Sequence, residues 1–388
     1  MSNTILALDP SHAPPVLPLF RDSETHDFTF TGSGREYFRI WVVNLMLTVA
    51  TLGIYSAWAK VRRLQYFNRN TRFGGAVFDF HGDPKTILKG RLVAVGVLLT
   101  YQYAFGFSIL FGTVVVLALL TALPWMLRSA LRFRLQNTSY RGLRFHFGGT
   151  LPGAYGAYLP VILLLFLPTL LLALLPPPFV GLVFPLYLAW PLLHARIKRY
   201  QQDHLEYGGH QTQFSATNGN FFRIYFFALL FAMLGFLMAV GLFFAGTALM
   251  SASDLMKTEL ASMKGIAVAL VIFLLFVLAY ACLLLIAPYL QVRITNLVWN
   301  HTSFPHMDVR SSLRVPGYFR LQVVNTLLTL LTFGLFRPFA VVRSYRYRLA
   351  HTAVICAIGL EELAGESQGD VGAAGDSTAE FLGIDLSF

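Results

Sequence analysis

The sequence predicts an all-α polytopic membrane protein: six to eight membrane helical segments in internally repeated hairpins, with short cytoplasmic β-strand elements between them. Three observations carry that expectation. The chain is 56% hydrophobic and only 13% charged, where soluble domains carry nearer a quarter charged residues. Several apolar runs of about twenty residues lack Lys, Arg, Asp and Glu, the composition of helices dissolved in lipid. The polar stretches between the runs resemble one another position by position.

The clearest such stretch is 58–80. Trp58, Asn70, Phe73, Gly75, Phe78 and Phe80 recur 67 residues later as Trp125, Asn137, Tyr140, Gly142, Phe145 and Phe147. At the next step of 67, His204, Tyr207, Gly209 and Phe214 keep the spacing, with Arg196 and Tyr200 matching Arg62 and Tyr66. A looser copy holds Arg293 and His301-Thr302-Ser303-Phe304. Arg62 and Tyr66 also match Arg343 and Tyr347 at an offset of 281, as do Asn44 with Asn325 and Thr51/Gly53 with Thr332/Gly334. The motifs fall near 58–80, 125–147, 192–214, 289–311 and 339–352, inside a membrane domain at 27–350.

Residues 1–26 are polar and Pro-rich, and 359–388 hold seven acidic residues and no basic one; both read as disordered tails. The N-terminus has no basic region before a hydrophobic one, so the first membrane segment is expected to direct insertion. Between the tails, 92–127 is long enough for two helices with a turn at 101–108. Pro176-Pro177-Pro178 breaks 157–175 from 180–193, and a charged linker at 251–264 separates 221–250 from 265–289. The first and last runs either cross once or dip in and return near Thr51-Leu52-Gly53 and Thr332-Phe333-Gly334.

The repeated segments read as a short basic helix followed by a strand pair. Arg62, Tyr66 and Arg69 share a helical face, and Asn70 or Asn137 ends the helix as a left-handed cap. Gly-x-x-Phe-x-Phe then alternates with period two, while Gly74-Gly75 and Gly148-Gly149 read as strand turns. The segments 60–91, 128–155, 194–223, 293–320 and 337–348 hold 8, 5, 4, 4 and 4 Lys/Arg, or 25 of the chain's 30. By the positive-inside rule these segments face the cytoplasm. Cys356 should then resist membrane-impermeant thiol reagents in intact cells.

The Phe-Arg lead-in, Thr51-Leu52-Gly53-Ile54-Tyr55-Ser56-Ala57-Trp58-Ala59-Lys60-Val61-Arg62, Asn-Thr-x-aromatic and Pro124-Trp125 together resemble the YjgN-type family of bacterial inner-membrane proteins, a domain of unknown function. The resemblance spans roughly 27–350 and implies an integral, multi-pass place in the bacterial inner membrane. It implies no activity.

The residues point to no enzyme class and to no cofactor. The six core apolar runs hold no carboxylate, which weighs against proton coupling. His81, His146, His301 and His306 lack metal spacing, and the cysteines Cys282 and Cys356 form neither a metal set nor a disulfide framework. No nucleic-acid module accompanies the net charge of +11. Trp58, Trp125 and Trp190 read as interfacial anchors, and Asn70, Asn137, Gly75, Gly142 and Gly209 as structural residues. Arg62, Arg132, Arg196, Arg293 and Arg343 form a candidate cytoplasmic rim for anionic headgroups. Two functions are therefore expected: a transporter or channel-like protein for a small solute, ion or lipid, or a non-transporting scaffold that binds anionic lipid. The expected partners are membrane lipids.

Overall fold

The computed structural model describes residues 24–253, 259–305 and 307–356; the remainder of both tails, residues 254–258 of the 251–264 linker and His306 lie outside the described residues. The fold is mostly helical, 71%, and its strands are short connectors between helical pairs.

β1 (Glu24–Asp27) and β2 (Thr29–Phe30) precede the first pair, α1 (Gly34–Ala50) and α2 (Ser56–Arg69), which runs into β3 (Thr71–Phe73) and β4 (Ala76–Phe80). The order then repeats. α3 (Pro84–Phe107) and α4 (Ile109–Gln136) lead to β5 (Thr138–Tyr140) and β6 (Leu143–Phe147). α5 (Leu151–Leu174), a 3-10 segment Pro177–Ala189 and α6 (Trp190–Gln202) lead to β7 (Leu205–Tyr207), β8 (His210–Gln211) and β9 (Gln213–Phe214). α7 (Asn218–Ser253) and α8 (Glu259–Asn300) lead to β10 (Thr302–Phe304) and β11 (Met307–Ser311). The last pair, α9 (Val315–Leu331) and α10 (Arg337–Leu349), ends in β12 (Thr352–Cys356). A strand thus begins at Glu24, inside the segment expected to be a tail.

Every strand pair is antiparallel. One sheet runs β2-β3-β4-β5-β6-β7-β8, the other β1-β12-β11-β10-β9. Only Phe28 separates β1 from β2, and only Thr212 separates β8 from β9. Each of these two chain stretches pairs with one neighbour in its first half and another in its second. The two sheets therefore form one closed circuit, which leaves no free hydrogen-bonding edge among the described residues. Its last joint is made by the two ends of the described chain, Glu24↔Cys356 to Asp27↔Ala353. Helix packing follows the same circle, each helix lying on its chain neighbours and α10 closing on α1.

One face of the strand circuit is aromatic. Phe28 stacks on Phe73 at 4.7 Å, Phe78 on Tyr140 at 4.7 Å, and Phe145 faces Tyr207 at 4.8 Å. Val309, Val354 and Cys356 fill the remaining side of this core, with Trp299 from α8. Tyr140 Oη donates to the Phe73 carbonyl (2.8 Å), and Tyr207 Oη to that of Tyr140 (3.1 Å), both across 67 residues. Phe80, Phe147 and Phe214 end their strands and pack instead under the helices.

Of the two expected glycine turns, Gly74-Gly75 is a hairpin turn and Gly148-Gly149 is not. Gly74 and Gly75 have φ of 47° and 78°, Gly208 and Gly209 58° and 81°: both central residues of a two-residue hairpin are left-handed, as its twist demands. The corresponding turn in the second unit is Arg141-Gly142, not Gly148-Gly149, which leads from β6 to α5.

The helical pairs fall into two kinds. α1 and α2 are antiparallel around 51–55, since Tyr66 Oη donates to the Ser33 carbonyl (2.8 Å) and Thr31 N–H to that of Asn70 (2.9 Å). α9 and α10 turn in the same way. Thr51 Oγ1 accepts from Tyr55 N–H and Thr332 Oγ1 from Phe336 N–H, both at 2.9 Å, while Gly53 and Gly334 N–H close on Thr48 and Thr329 at 2.7 Å. Both first and last apolar runs therefore return towards their starting end.

The second kind is longer. Among the described residues, Ile109–Gln136, Leu151–Leu174 and Asn218–Ala245 are long and apolar enough to cross a membrane, and they bury only 11%, 28% and 17% of their most apolar windows inside the protein. The turn expected over 101–108 is confined to Ser108, whose Oγ accepts from Phe111 N–H (3.0 Å); Tyr101–Phe107 remain helical.

Candidate functional site

The basic helices that precede each strand pair end in one common device. Asn70 and Asn137 cap α2 and α4 with φ of −96° and −93°, so they are not left-handed as expected. Their amides instead donate to the carbonyls four residues back, Tyr66 and Phe133, at 2.8 Å. His204, His301 and His351 place Nδ1 at 2.9, 2.9 and 2.8 Å from the carbonyls of Tyr200, Leu297 and Tyr347. A carbonyl only accepts, so each of these Nδ1 atoms carries the proton. Imidazole and carboxamide thus satisfy the same orphan carbonyl of a helix end. Sequence reading missed His351, although its place after Tyr347 matches that of His204 after Tyr200.

Tyrosines one turn earlier tie three of the basic helices, α2, α6 and α10, to the start of their own pairs. Tyr200 Oη donates to the Thr150 carbonyl (3.0 Å) and Tyr347 Oη to that of Arg314 (3.5 Å), repeating the Tyr66–Ser33 bond. Ser33, Thr150 and Arg314 are the residues that cap the N-termini of α1, α5 and α9. Burial pushes the phenols of Tyr66 and Tyr200 up to about 12, so they remain donors at any physiological pH.

The rim arginines sit eight residues before this cap in four units: Arg62, Arg196, Arg293 and Arg343, all exposed. Arg62, Arg293 and Arg343 lie 5.7, 5.8 and 6.0 Å from the ring centres of Tyr55, Tyr289 and Phe336, a cation–π distance. Arg132 occupies a different, half-buried position; buried Ser129 stands at the equivalent place in α4. The five arginines lie on five different helices.

Among the anchors, Trp58 stacks on Tyr55 and Trp125 is 40% exposed. Trp190 Nε1 donates to Tyr225 Oη (3.0 Å), which also meets His194 Nδ1 at 2.7 Å. His194 opens the basic segment after the 180–193 run. Burial, with the nearby Lys198 charge, lowers its pKa to about 4, and burial lowers that of Lys198 as well. Gly75, Gly142 and Gly209 hold the second turn positions. His81 Nε2 meets Ser139 Oγ at 2.8 Å. Cys356 is 1% exposed in the strand core, and its thiol is pushed up to about 11 by burial and by Glu24. It is shielded from thiol reagents on either side of a membrane, so its labelling reports packing and not topology.

Asn44 and Asn325 are buried at 7% and 3%, in corresponding places on α1 and α9. Asn325 Nδ2 donates to the Ala340 carbonyl (3.3 Å) and Ser344 Oγ (3.1 Å), while Oδ1 of both asparagines has no hydrogen-bond partner among the described residues.

Membrane-length apolar helices on a circuit of short strands define a mostly helical, membrane-type chain without a separate soluble domain among the described residues. It belongs to the family described as bacterial protein of unknown function (DUF898), whose model matches residues 25–381. The chain is 34% identical over 138 residues to the inner membrane protein YjgN of Escherichia coli O157:H7, 34% of each chain. It is 34% identical over 139 residues to that of strain K12, and 30% over 134 to that of Salmonella typhimurium strain LT2. These alignments span about a third of either partner. No solved structure matches.

Proposed function

We propose an integral protein of the bacterial inner membrane that handles lipid, as a transporter-like protein for an apolar or amphipathic molecule. The observation that carries this reading is the sparse packing of the long helices. A helix set in a circle touches two neighbours and leaves two faces open. In α3 every residue from Leu92 to Tyr103 is exposed, and the side chains on all sides are predominantly apolar. A water-filled pathway needs polar lining; lipid fills an apolar one. The aromatic core of the strand circuit argues in the same direction, because it leaves that layer packed with side chains.

In this reading the five helix–strand units are internal repeats, a common construction of transporters. α3/α4, α5 with the 3-10 segment Pro177–Ala189, and α7/α8 cross as six spans, and the short pairs α1/α2 and α9/α10 re-enter. The basic helices and strands lie in the cytoplasm, and the termini with them. The names of the relatives support the location.

Native mass spectrometry of the protein extracted in its own lipids, followed by lipid transfer between vesicles, tests the reading. Retained phospholipid and protein-dependent transfer are expected. A lipid-free protein with no transfer contradicts it. The second reading, a non-transporting scaffold, is favoured by the exposed Arg62, Arg196, Arg293 and Arg343 at one helical level. Lipid retained without transfer, and lost in Arg62→Ala/Arg196→Ala, selects it.

A further inference from the structure

One face of α6, which packs between α5 and α7, carries polar groups that neither the strand circuit nor the lipid reading uses. His194, Lys198 and Gln201 follow one another at steps of four and three residues, so they share that face. His194 and Lys198 are both half-buried. Two chains of hydrogen bonds run along it, and their direction is fixed by the atoms that only donate.

Lys198 Nζ donates to Gln201 Oε1 (3.3 Å), since an ammonium has no lone pair to accept with. That orients the Gln201 amide so that its Nε2 donates to Tyr158 Oη on α5 (3.1 Å). Tyr158 is 5% exposed and serves here as the acceptor, so its own O–H has no acceptor among the described residues. The second chain begins at Trp190, whose indole also only donates, to Tyr225 Oη on α7 (3.0 Å). The Tyr225 O–H is then spent on His194 Nδ1 (2.7 Å). His194, kept neutral by burial, therefore carries its proton on Nε2, which meets no acceptor among the described residues. Both chains end in an unspent donor.

The charge is unspent as well. Among the described residues no carboxylate stands within ion-pair distance of Lys198. The two nearest in sequence are turned elsewhere: Asp203 accepts from Phe214 N–H (2.7 Å), and Glu206 packs against Gly148. Burial lowers the pKa of Lys198 with no counter-charge to oppose it, and its charge acts in turn on His194. Buried charges are ordinarily paired. This face instead holds a cation with two further N–H groups to give, and a buried hydroxyl proton joined to it through Gln201.

We propose that the face of α6 between α5 and α7 binds a phosphate group, with Lys198 as its counter-charge and the Tyr158 O–H as its buried hydrogen-bond donor. A phosphate presents several charged acceptor oxygens to donors on two helices at once, where a carboxylate presents only two. His194 Nε2–H stands one turn away as a further donor. In the proposed topology α6 follows a span, so the phosphate is either free in the cytoplasm or part of an inner-leaflet headgroup. The site does not depend on lipid being transferred.

The test uses the full chain in neutral detergent near neutral pH. Calorimetric titration with inorganic phosphate probes a free ligand; native mass spectrometry with phosphatidylglycerol against phosphatidylcholine probes a headgroup. Saturable binding is expected in at least one arm, and the arm that responds identifies the source. Lys198→Met keeps the length of the side chain without its charge and weakens that binding at least about tenfold. Tyr158→Phe weakens it about three- to tenfold, Lys198→Arg retains part of it, and Arg62→Ala/Arg196→Ala leaves it unchanged. Without ligand, Lys198→Met melts no lower than the parent, because an unpaired charge has been removed. The responding ligand raises the melting temperature of the parent and not that of the variant. Absence of saturable binding in every arm overturns the site, as does unaltered affinity in Lys198→Met, or a Lys198→Met protein that melts below the parent without ligand. Binding without lipid transfer between vesicles upholds the site and fails the transport reading alone.

Discussion

The short helical pairs α1/α2 and α9/α10 and the long pairs such as α3/α4 use one motif at their base and differ at the tip. At the base, both kinds end in a capped basic helix and a strand of the shared circuit. At the tip, α3 and α4 meet at Ser108, a conventional serine cap. The short pairs instead turn through Leu52 and Phe333, which have φ of 50° and 48° and are 96% and 98% exposed. A bulky, left-handed, fully exposed apolar residue is unfavourable in water. In the proposed topology the tip lies in lipid, where such a residue is favourable. The difference teaches that stability resides in the base and that the tips are set by their solvent.

The sharpest way to break that comparison is to empty one site at each end. Phe80, 1% exposed beneath α2 and α4, loses about 3–5 kcal/mol on Phe80→Ala. Phe333→Ala at a tip changes stability by less than about 0.5 kcal/mol. Denaturant unfolding of the two variants in one detergent checks both; equal losses would refute the division.

A pH scan sharpens it next. The folded His194 titrates near 4 and the unfolded one near 6.5, so the unfolded chain takes up the proton first as pH falls. The stability of its buried neutral form is complete above about 6.5 and is lost as pH falls towards 4, by about 3 kcal/mol. His194→Phe flattens this slope in thermal melts between those limits, and an unchanged slope assigns it elsewhere.

At the caps, His351→Asn keeps the helix-end bond and is expected within about 0.5 kcal/mol of the parent, whereas His351→Ala loses about 1 kcal/mol. Equal melting of the two variants would show that the bond is idle. A small effect of opposite sign belongs to the tip again. Phe333→Gly removes left-handed strain but adds unfolded-state entropy, leaving a net gain of a few tenths to about 1 kcal/mol. A loss of stability in the same melt would place the cost outside the backbone.

Much of this division was legible in the sequence. The 67-residue spacing marks where basic helices give way to strands, and glycine after glycine or arginine marks the turns. The turning points were visible as Thr51-Leu52-Gly53 and Thr332-Phe333-Gly334, although apolar composition alone does not distinguish a return from a crossing. Closure of the strand circuit was not legible. It rests on pairing Glu24–Asp27 with Ala353–Cys356, a short polar and a short apolar segment more than 300 residues apart that carry no repeat signature of their own. The Asn-for-His exchange at the caps hid a shared role because both groups donate to the same carbonyl with different shapes. Arg132 was misaligned for a plainer reason: the motif places Ser129 where the other helices have arginine, and basic residues on either side of it drew the match.

The central claim, that every helical pair leaves and returns to one strand layer on one side of the membrane, is tested most directly by cysteine labelling in intact cells. In a Cys282→Ala/Cys356→Ala background, single cysteines are placed at Val77 and Gln211 on the strands, Ser108 at a long tip and Leu52 at a short one. An impermeant thiol reagent should label Ser108→Cys in intact cells, Val77→Cys and Gln211→Cys only after permeabilisation, and Leu52→Cys in neither state. Opposite sidedness of Val77→Cys and Gln211→Cys would contradict the claim, because the two strand sites would then lie on different faces of the membrane.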